Sequence, residues 1–292
     1  MDKIKTSYYR VDAPIRLKDV PTLTNLNASD DQLKDRLSDI RRKIGKLQDV
    51  LYAHGKYSVL VCFQGMDTAG KDSLIREVFK DFNSRGVVVH SFKTPTSIQK
   101  KQDYLWRHYI ALPARGKFGV FNRSHYENVL VTRVHPEYIL GEHLPGVDSV
   151  EDITDAFWHE RFEQIKAFER HLAQNGTIIF KFFLHLSKEE QKNRLLRRLR
   201  LEEKNWKFSP DDLKERTLWD KYQQYYEEAI NITSTDHAPW YIIPADNKKA
   251  ARTIVADIMY DELKERKDIK YPVLGEEVRA KLDVYKKQLH HE

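Results

Sequence analysis

A chain of 292 residues is long enough for one large domain or for a core with an insertion, and its 40% apolar content excludes a disordered protein. A net charge of +6 and a pI near 9.1 suit an anionic partner without choosing between nucleic acid and membrane. Cys62 is the only cysteine, which excludes an internal disulfide, and no apolar run nears the ~20 residues of a membrane-spanning helix. The N-terminus is polar and lacks the apolar stretch of a signal peptide, so a soluble cytoplasmic protein is the expectation.

Residues 1–28 hold Pro14 and Pro21 and follow no period, which reads as an extended, solvated arm. Ser29 and Gln32 form a capping-box pair. Behind them Leu33, Leu37, Ile40, Ile44, Leu47 and Leu51 recur every three or four residues, so an amphipathic helix runs to about Gly55. Val59–Phe63 is a short apolar run suited to a buried strand. It breaks into Gly65-Met66-Asp67-Thr68-Ala69-Gly70-Lys71, after which Leu74, Ile75, Val78 and Phe79 share one helical face. Strand, glycine loop and helix in that order make a phosphate cradle. The glycines let N–H groups turn inward, the helix presents its positive end, and Lys71 adds a point charge.

The loop departs from the usual pattern at two positions. Ser or Thr would normally follow the lysine and hold Mg²⁺, but Asp72 stands there and Ser73 comes one place later. Asp67 lies inside the loop, where a carboxylate facing the β-phosphate of an ordinary nucleotide is costly unless metal ions bridge the two. The alternative is an Asx-turn residue without chemistry.

Val87–Phe92 reads as a second buried strand, with Lys93 at its C-terminal end, the edge where open α/β sheets bind ligands. Residues 98–110 look helical. Phe118–Phe121 is a third strand running into Asn122-Arg123-Ser124-His125-Tyr126-Glu127. An NTPase would place an acid at that strand end to hold Mg²⁺. Asn122 can accept a metal-bound water but supplies no charge, so Glu127 and Glu137 are the acids available to compensate, unless both are solvated surface. Arg123, beside the phosphate loop, is a candidate for stabilising phosphoryl charge, with a surface salt bridge as the alternative.

Trp158, Phe162, Ile165 and Leu172 mark a helix closed by Gly176, and residues 177–186 are the most strand-like run. In the next segment Arg194, Arg197 and Arg198 share a helical face. A second helix starts at the Ser209-Pro210 cap and carries Trp219, Tyr222, Tyr225 and Tyr226. This basic hairpin is either a lid over bound phosphates or a solvated face. Residues 238–244 give a fifth strand, and a helix through Ile254, Ile258 and Leu263 precedes a charged tail. Strands alternating with helices predict an α/β fold, a parallel sheet covered on both faces. It divides into an N-terminal arm and helix (1–55), a core (56–187 and 238–266), a helical lid (188–237) and a tail (267–292).

These residues resemble the polyphosphate kinase 2 family over about residues 56–263. The marks are Gly65-x-Asp67-x-x-Gly70-Lys71-Asp72, Phe92-Lys93-x-Pro95, Asp103–Arg107, the run Phe121–Val134, Gln191-x-x-Arg194-x-x-x-Arg198, Trp206-Lys207-x-Ser209, and Ala238-Pro239-Trp240 with Pro244-Ala245-Asp246 and Arg252. Asn122, with His125-Tyr126-Glu127 and His135-Pro136-Glu137, looks like the class III branch, where relatives in other branches carry Asp at position 122. The resemblance implies a P-loop kinase-like three-layer α/β/α core with a five-stranded parallel sheet and a helical lid. It implies reversible, Mg²⁺-dependent phosphoryl transfer from inorganic polyphosphate to ADP, giving ATP, and to AMP, giving ADP. Mn²⁺ is the alternative ion, and acceptance of guanine nucleotides stays open. Neither nucleic acid nor membrane is an expected partner; a homodimer or homotetramer is.

By the same resemblance, Asp67 would bind Mg²⁺ between the two phosphates. Lys71 and the loop, Gly65, Met66, Thr68, Ala69, Gly70, Asp72 and Ser73, would cradle them. Lys93, Asn122, Tyr126 and Arg133 would complete the phosphate and nucleotide site, Arg123 would stabilise the transferring group, and Arg194, Arg198 and Lys207 would clamp from the lid. Trp106, Tyr126 or Trp206 would stack on adenine, with core packing as the alternative for each. An NTP-dependent nucleoside monophosphate kinase is the rival; it explains loop and lid but neither Asp67 nor Asp72. A GTP switch lacks the Asp that would read guanine in Asn247-Lys248-Lys249-Ala250. A nucleic-acid-binding module is weaker, because the aromatics of the hairpin are not interleaved with its arginines, and a non-enzymatic polyanion binder is a third rival, which Lys71→Ala separates from a kinase.

Overall fold

The computed structural model describes residues 3–291, so the very ends of the expected arm and tail (1, 2 and 292) lie outside the described residues. Helix α1 (Asp30–His54) begins where Ser29 and Gln32 exchange both hydrogen bonds of a capping box. It stops at Gly55, which takes a left-handed φ of +67°. Next come β1 (Ser58–Gln64), the phosphate loop and α2 (Lys71–Val78), then β2 (Val87–Ser91). Two single-turn helices, α3 (Ser97–Lys100) and α4 (Trp106–Tyr109), lead to β3 (Phe118–Asn122). Helices α5 (Glu127–Val134), α6 (Glu137–Leu140) and α7 (Asp155–Gln174) precede β4 (Thr177–His185). Helices α8 (Lys188–Arg200), α9 (Glu202–Asn205), α10 (Pro210–Thr217) and α11 (Trp219–Thr233) lead to β5 (Trp240–Pro244). The chain closes with α12 (Lys248–Lys264) and two exposed tail helices, α13 (Glu276–Ala280) and α14 (Leu282–His290).

The five strands form one all-parallel sheet in the order β2-β3-β1-β4-β5. Strand β1 is buried along its whole length, and alternation sorts its side chains between two layers. Val59, Val61 and Phe63 pack with α1, α2 and α12, while Leu60 and Cys62 pack with α7. The first crossover from β1 reaches β2 at one edge; β4 and β5 are added on the other side. The loop after β1 therefore lies at the switch point of the sheet, where a crevice opens outside the carboxyl ends of the strands. No helix among the described residues is long and apolar enough to cross a membrane.

Several elements differ from expectation. Strand β2 is an edge strand rather than a buried one, with Val88 and Val89 46% and 48% exposed. Residues 98–110 split into α3 and α4 around an irregular stretch. The hairpin helix begun at Ser209 breaks at Leu218. Beyond it, Trp219, Tyr222, Tyr226 and Ile230 of α11 enter the core with Val129 and Leu130 of α5 and Phe162 of α7. The part of 188–237 that overhangs the crevice is thus α8 to α10. The N-terminal arm is not solvated: Ile4, Tyr9, Val11 and Leu17 are buried, and Arg10 forms an antiparallel bridge to Tyr241 of β5.

Candidate active site

The loop after β1 is shaped by its glycines. Gly65 has a φ of +150°, and a Cβ there would sit 2.9 Å from the carbonyl oxygen of Leu184, so no side chain fits. Thr68 and Gly70 also take positive φ, +66° and +102°, and α2 starts directly afterwards at Lys71. Lys71 is buried and turns back on the loop, donating to the carbonyl oxygens of Gly65 at 2.6 Å and Met66 at 3.4 Å. Burial, helped by the nearby charge of Arg123, lowers its pKa to about 8, against the opposing pull of Asp67, Glu127 and Asp72.

Arg123 follows β3, the strand that pairs with β1, with a φ of +62°. Its Nη2 donates to Asp67 Oδ1 at 2.6 Å and its Nη1 to Glu127 Oε2 at 3.1 Å. Glu127, opposed by burial and helped by Asp67, drives its already high pKa further up, so the guanidinium keeps its charge. Beside it Asn122 Nδ2 donates to Asp72 Oδ1 at 2.6 Å. The ends of two adjacent strands thus bring Asp67, Lys71, Asp72, Asn122, Arg123 and Glu127 together.

These residues line one wall of a cleft of about 1150 Å³. Thirteen lysines and arginines line it against six Asp and Glu, an excess of seven, while the whole chain carries only +6. The positive charge of the molecule is therefore concentrated in this cleft, and the rest of the chain nets −1 (+6 less +7). Lys93, Arg198 and Lys207 all line it, as expected. Arg76 of α2 and Lys248 and Arg252 of α12 add cations that the sequence had not marked as site residues. Burial, followed by the charges of Arg194 and Arg197, lowers the pKa of Lys248 to about 8, so this wall is crowded with like charge.

Other expected residues stand elsewhere. Tyr126 is fully buried, and its hydroxyl hydrogen-bonds within the interior, so it offers no face to a nucleotide. Arg133 is ion-paired with Glu228 and stacks 4.5 Å over the ring of Tyr225, joining α5 to α11 away from the cleft. Glu137 pairs with His135 and does not line the cleft, which leaves Glu127 as the acid beside Asp67. Gly65, Met66 and Ala69 expose no side chain there; their carbonyl oxygens accept from Lys71 and Arg194. Arg194 reaches the rim but is spent on the scaffold. Its guanidinium donates to the carbonyl oxygens of Thr68, Ala69, Ala245 and Asp246 and to Glu190, so it props the phosphate loop rather than projecting freely. Of the three aromatic candidates only Trp206 lines the cleft.

A match to the family model described as Polyphosphate kinase 2 (PPK2) spans residues 27–271. The chain belongs to the polyphosphate kinase 2 family. A relative from Rhodopseudomonas palustris, named ADP-polyphosphate phosphotransferase, is 42% identical over 98% of this chain and 99% of its own. An AMP/ADP-polyphosphate phosphotransferase from Meiothermus ruber is 45% identical over 78% of this chain and 80% of its own. The crystal structure of polyphosphate kinase 2 from Arthrobacter aurescens TC1 superposes with a TM-score of 0.87 at 33% identity, covering 98% of both chains. The expected family and the α/β fold with a five-stranded parallel sheet are thereby established.

Proposed function

We propose that this cleft moves a phosphoryl group between inorganic polyphosphate and adenine nucleotides, taking ADP to ATP and AMP to ADP. The observation that carries this reading is an acid inside the phosphate loop, Asp67, paired with Arg123 at the head of a cleft with an excess of seven positive charges. A polyanion of one charge per phosphate fits such a cleft better than one nucleotide does. The names of the Rhodopseudomonas and Meiothermus relatives agree with it.

Phosphoryl transfer asks for positioning and charge neutralisation more than for a covalent nucleophile. Lys71 and the N–H groups at the start of α2 hold the phosphates, and Arg123, fixed between Asp67 and Glu127, neutralises charge on the transferring group. Arg198 and Lys207 draw the chain in from the lid side. Among the described residues no three His, Cys, Asp or Glu gather into a cage. Arg123 takes only one oxygen of Asp67, which leaves a single carboxylate arm. That donor set fits Mg²⁺, or Mn²⁺ in its place, which uses one or two carboxylates and completes its shell with substrate phosphates and water. Bound there, the ion would neutralise phosphate charge.

The test is incubation of the purified protein with Mg²⁺, long-chain polyphosphate and AMP, without ATP, followed by chromatography. ADP and then ATP are expected. ATP from added ADP but nothing from AMP, with ADP disproportionation controlled, would remove the AMP activity. Phosphorylation of AMP only when ATP is supplied would return the nucleoside monophosphate kinase reading.

A further inference from the structure

Beneath the Arg123 turn lies a polar network that never reaches the cleft. His125, Tyr126, Glu169 of α7, Lys181 of β4 and Thr233 of α11 are all fully buried. Lys181 spends its three protons on Tyr126 Oη at 2.9 Å, Glu169 Oε2 at 2.7 Å and the carbonyl oxygen of Thr233 at 2.7 Å. The other oxygen of Glu169 accepts from the hydroxyl of Tyr126 at 2.9 Å and lies 3.1 Å from His125 Nε2. Burial would raise the Glu169 carboxyl, but Lys181 and His125 outweigh it and hold it below its ordinary value. Burial also lowers the pKa of Lys181, but its three donations and the 2.7 Å contact with Glu169 make the two a dry ion pair inside the sheet layer.

Stability is a poor reason for such a pair, because apolar residues of similar volume usually do as well or better. Its location suggests another reason. Arg123 sits in a left-handed conformation that costs about 1 kcal/mol for a residue with a Cβ and persists only where the surroundings enforce it. The two residues the network grips, His125 and Tyr126, lie between Arg123 and its partner Glu127. Ser124 is tied separately, accepting from Gln64 of β1 at 3.2 Å. We infer that Glu169 and Lys181 are positioning residues, which act through His125 and Tyr126 to hold the 123–127 turn with Arg123 against Asp67 and Glu127. The inference rests on the phosphoryl-transfer reading only for what Arg123 does once it is held.

A double-mutant cycle tests it. Glu169→Gln with Lys181→Met removes both charges at nearly constant volume, and Tyr126→Phe, a milder change, cuts the Tyr126 link while leaving the ion pair and the His125 contact. Each is made with Arg123 intact and in an Arg123→Ala background. Misplacing a catalytic group by an ångström costs up to ~100-fold, so kcat is expected to fall about 10- to 100-fold with Arg123 present. In the Arg123→Ala background the further loss is expected to stay within about twofold. The same cycle, read on tripolyphosphate affinity by calorimetry, needs no turnover and should be non-additive in the same sense. Equal losses in both backgrounds would make the network a general scaffold and overturn the inference. A wild-type protein without turnover but with a non-additive tripolyphosphate cycle would overturn the phosphoryl-transfer reading and leave the positioning role standing.

Discussion

Lys71 is buried and bonded to the carbonyl oxygens of its own loop, and the consequence is a pH dependence. With its pKa lowered to about 8, the ammonium is present below that pH and lost above it. The profile of kcat/KM follows the free enzyme, so efficiency toward polyphosphate should fall as pH rises through about 8. Lys71→Arg keeps its charge beyond pH ~12. Its plateau is expected to be lower, because a bulkier planar guanidinium does not repeat the ammonium's bonds to the Gly65 and Met66 carbonyl oxygens, but its alkaline fall should move upward. A profile that is unchanged in Lys71→Arg would assign the titration to another group. Asp67, Lys71 and Arg123 were legible from the sequence because each follows a strand, and topology brings the ends of adjacent parallel strands together. Tyr126 was not, since an aromatic in a polar turn looks the same whether it stacks on a ligand or drops inward. What decides it is Glu169 and Lys181, far away in the chain.

At the scale of elements, α8 has two jobs on neighbouring turns. Arg194 fastens it to the phosphate loop, while Arg198, one turn on, faces the cleft and pairs with Asp212 of α10 at 3.0 Å. Asp212 is itself pushed up, first by burial and then by Asp67, so an acid is held against another acid in a site for polyanions. Asp212→Asn keeps an acceptor for the Ser209 N–H that caps α10, removes that repulsion and releases Arg198 from its ion pair, leaving its bond to the Lys207 carbonyl oxygen. The KM for polyphosphate is expected to drop by about two- to fivefold at low salt, with the gain shrinking as ionic strength rises. An unchanged or higher KM at all salt concentrations would show that Asp212 orders the lid more than it repels the ligand. The helices with a repeating apolar stripe were readable; the breaks were not. Leu218 carries no breaker residue, and it is the packing of Trp219, Tyr222 and Tyr226 against α5 and α7 that turns the chain there. The wall of Arg76, Lys248 and Arg252 was missed for a similar reason, because a cation on a helix looks solvated until another element is placed opposite it.

At the scale of the whole molecule, the arm is the least legible part and a substantial part of the core. An extended chain contributes single apolar residues without a period, so Ile4, Tyr9, Val11 and Leu17 gave no pattern. Leu17 is 2% exposed, its N–H donates to Glu227 at 2.7 Å, and its carbonyl oxygen lies 3.1 Å from His185 Nε2. Leu17→Ala should cost about 2–5 kcal/mol in urea unfolding while leaving the polyphosphate KM within error, since the arm does not line the cleft. A loss under about 1 kcal/mol would mean that the arm detaches freely.

The two margins of the sheet are finished differently. Beyond β5 the arm adds its bridge at Arg10 and Tyr241 and a bond from the Val11 N–H to the Trp240 carbonyl oxygen at 2.9 Å, whereas no described strand covers β2. An uncovered edge strand can pair edge to edge with the same strand of a second copy across a two-fold axis. Sheet growth through β2 alone would therefore stop at two chains.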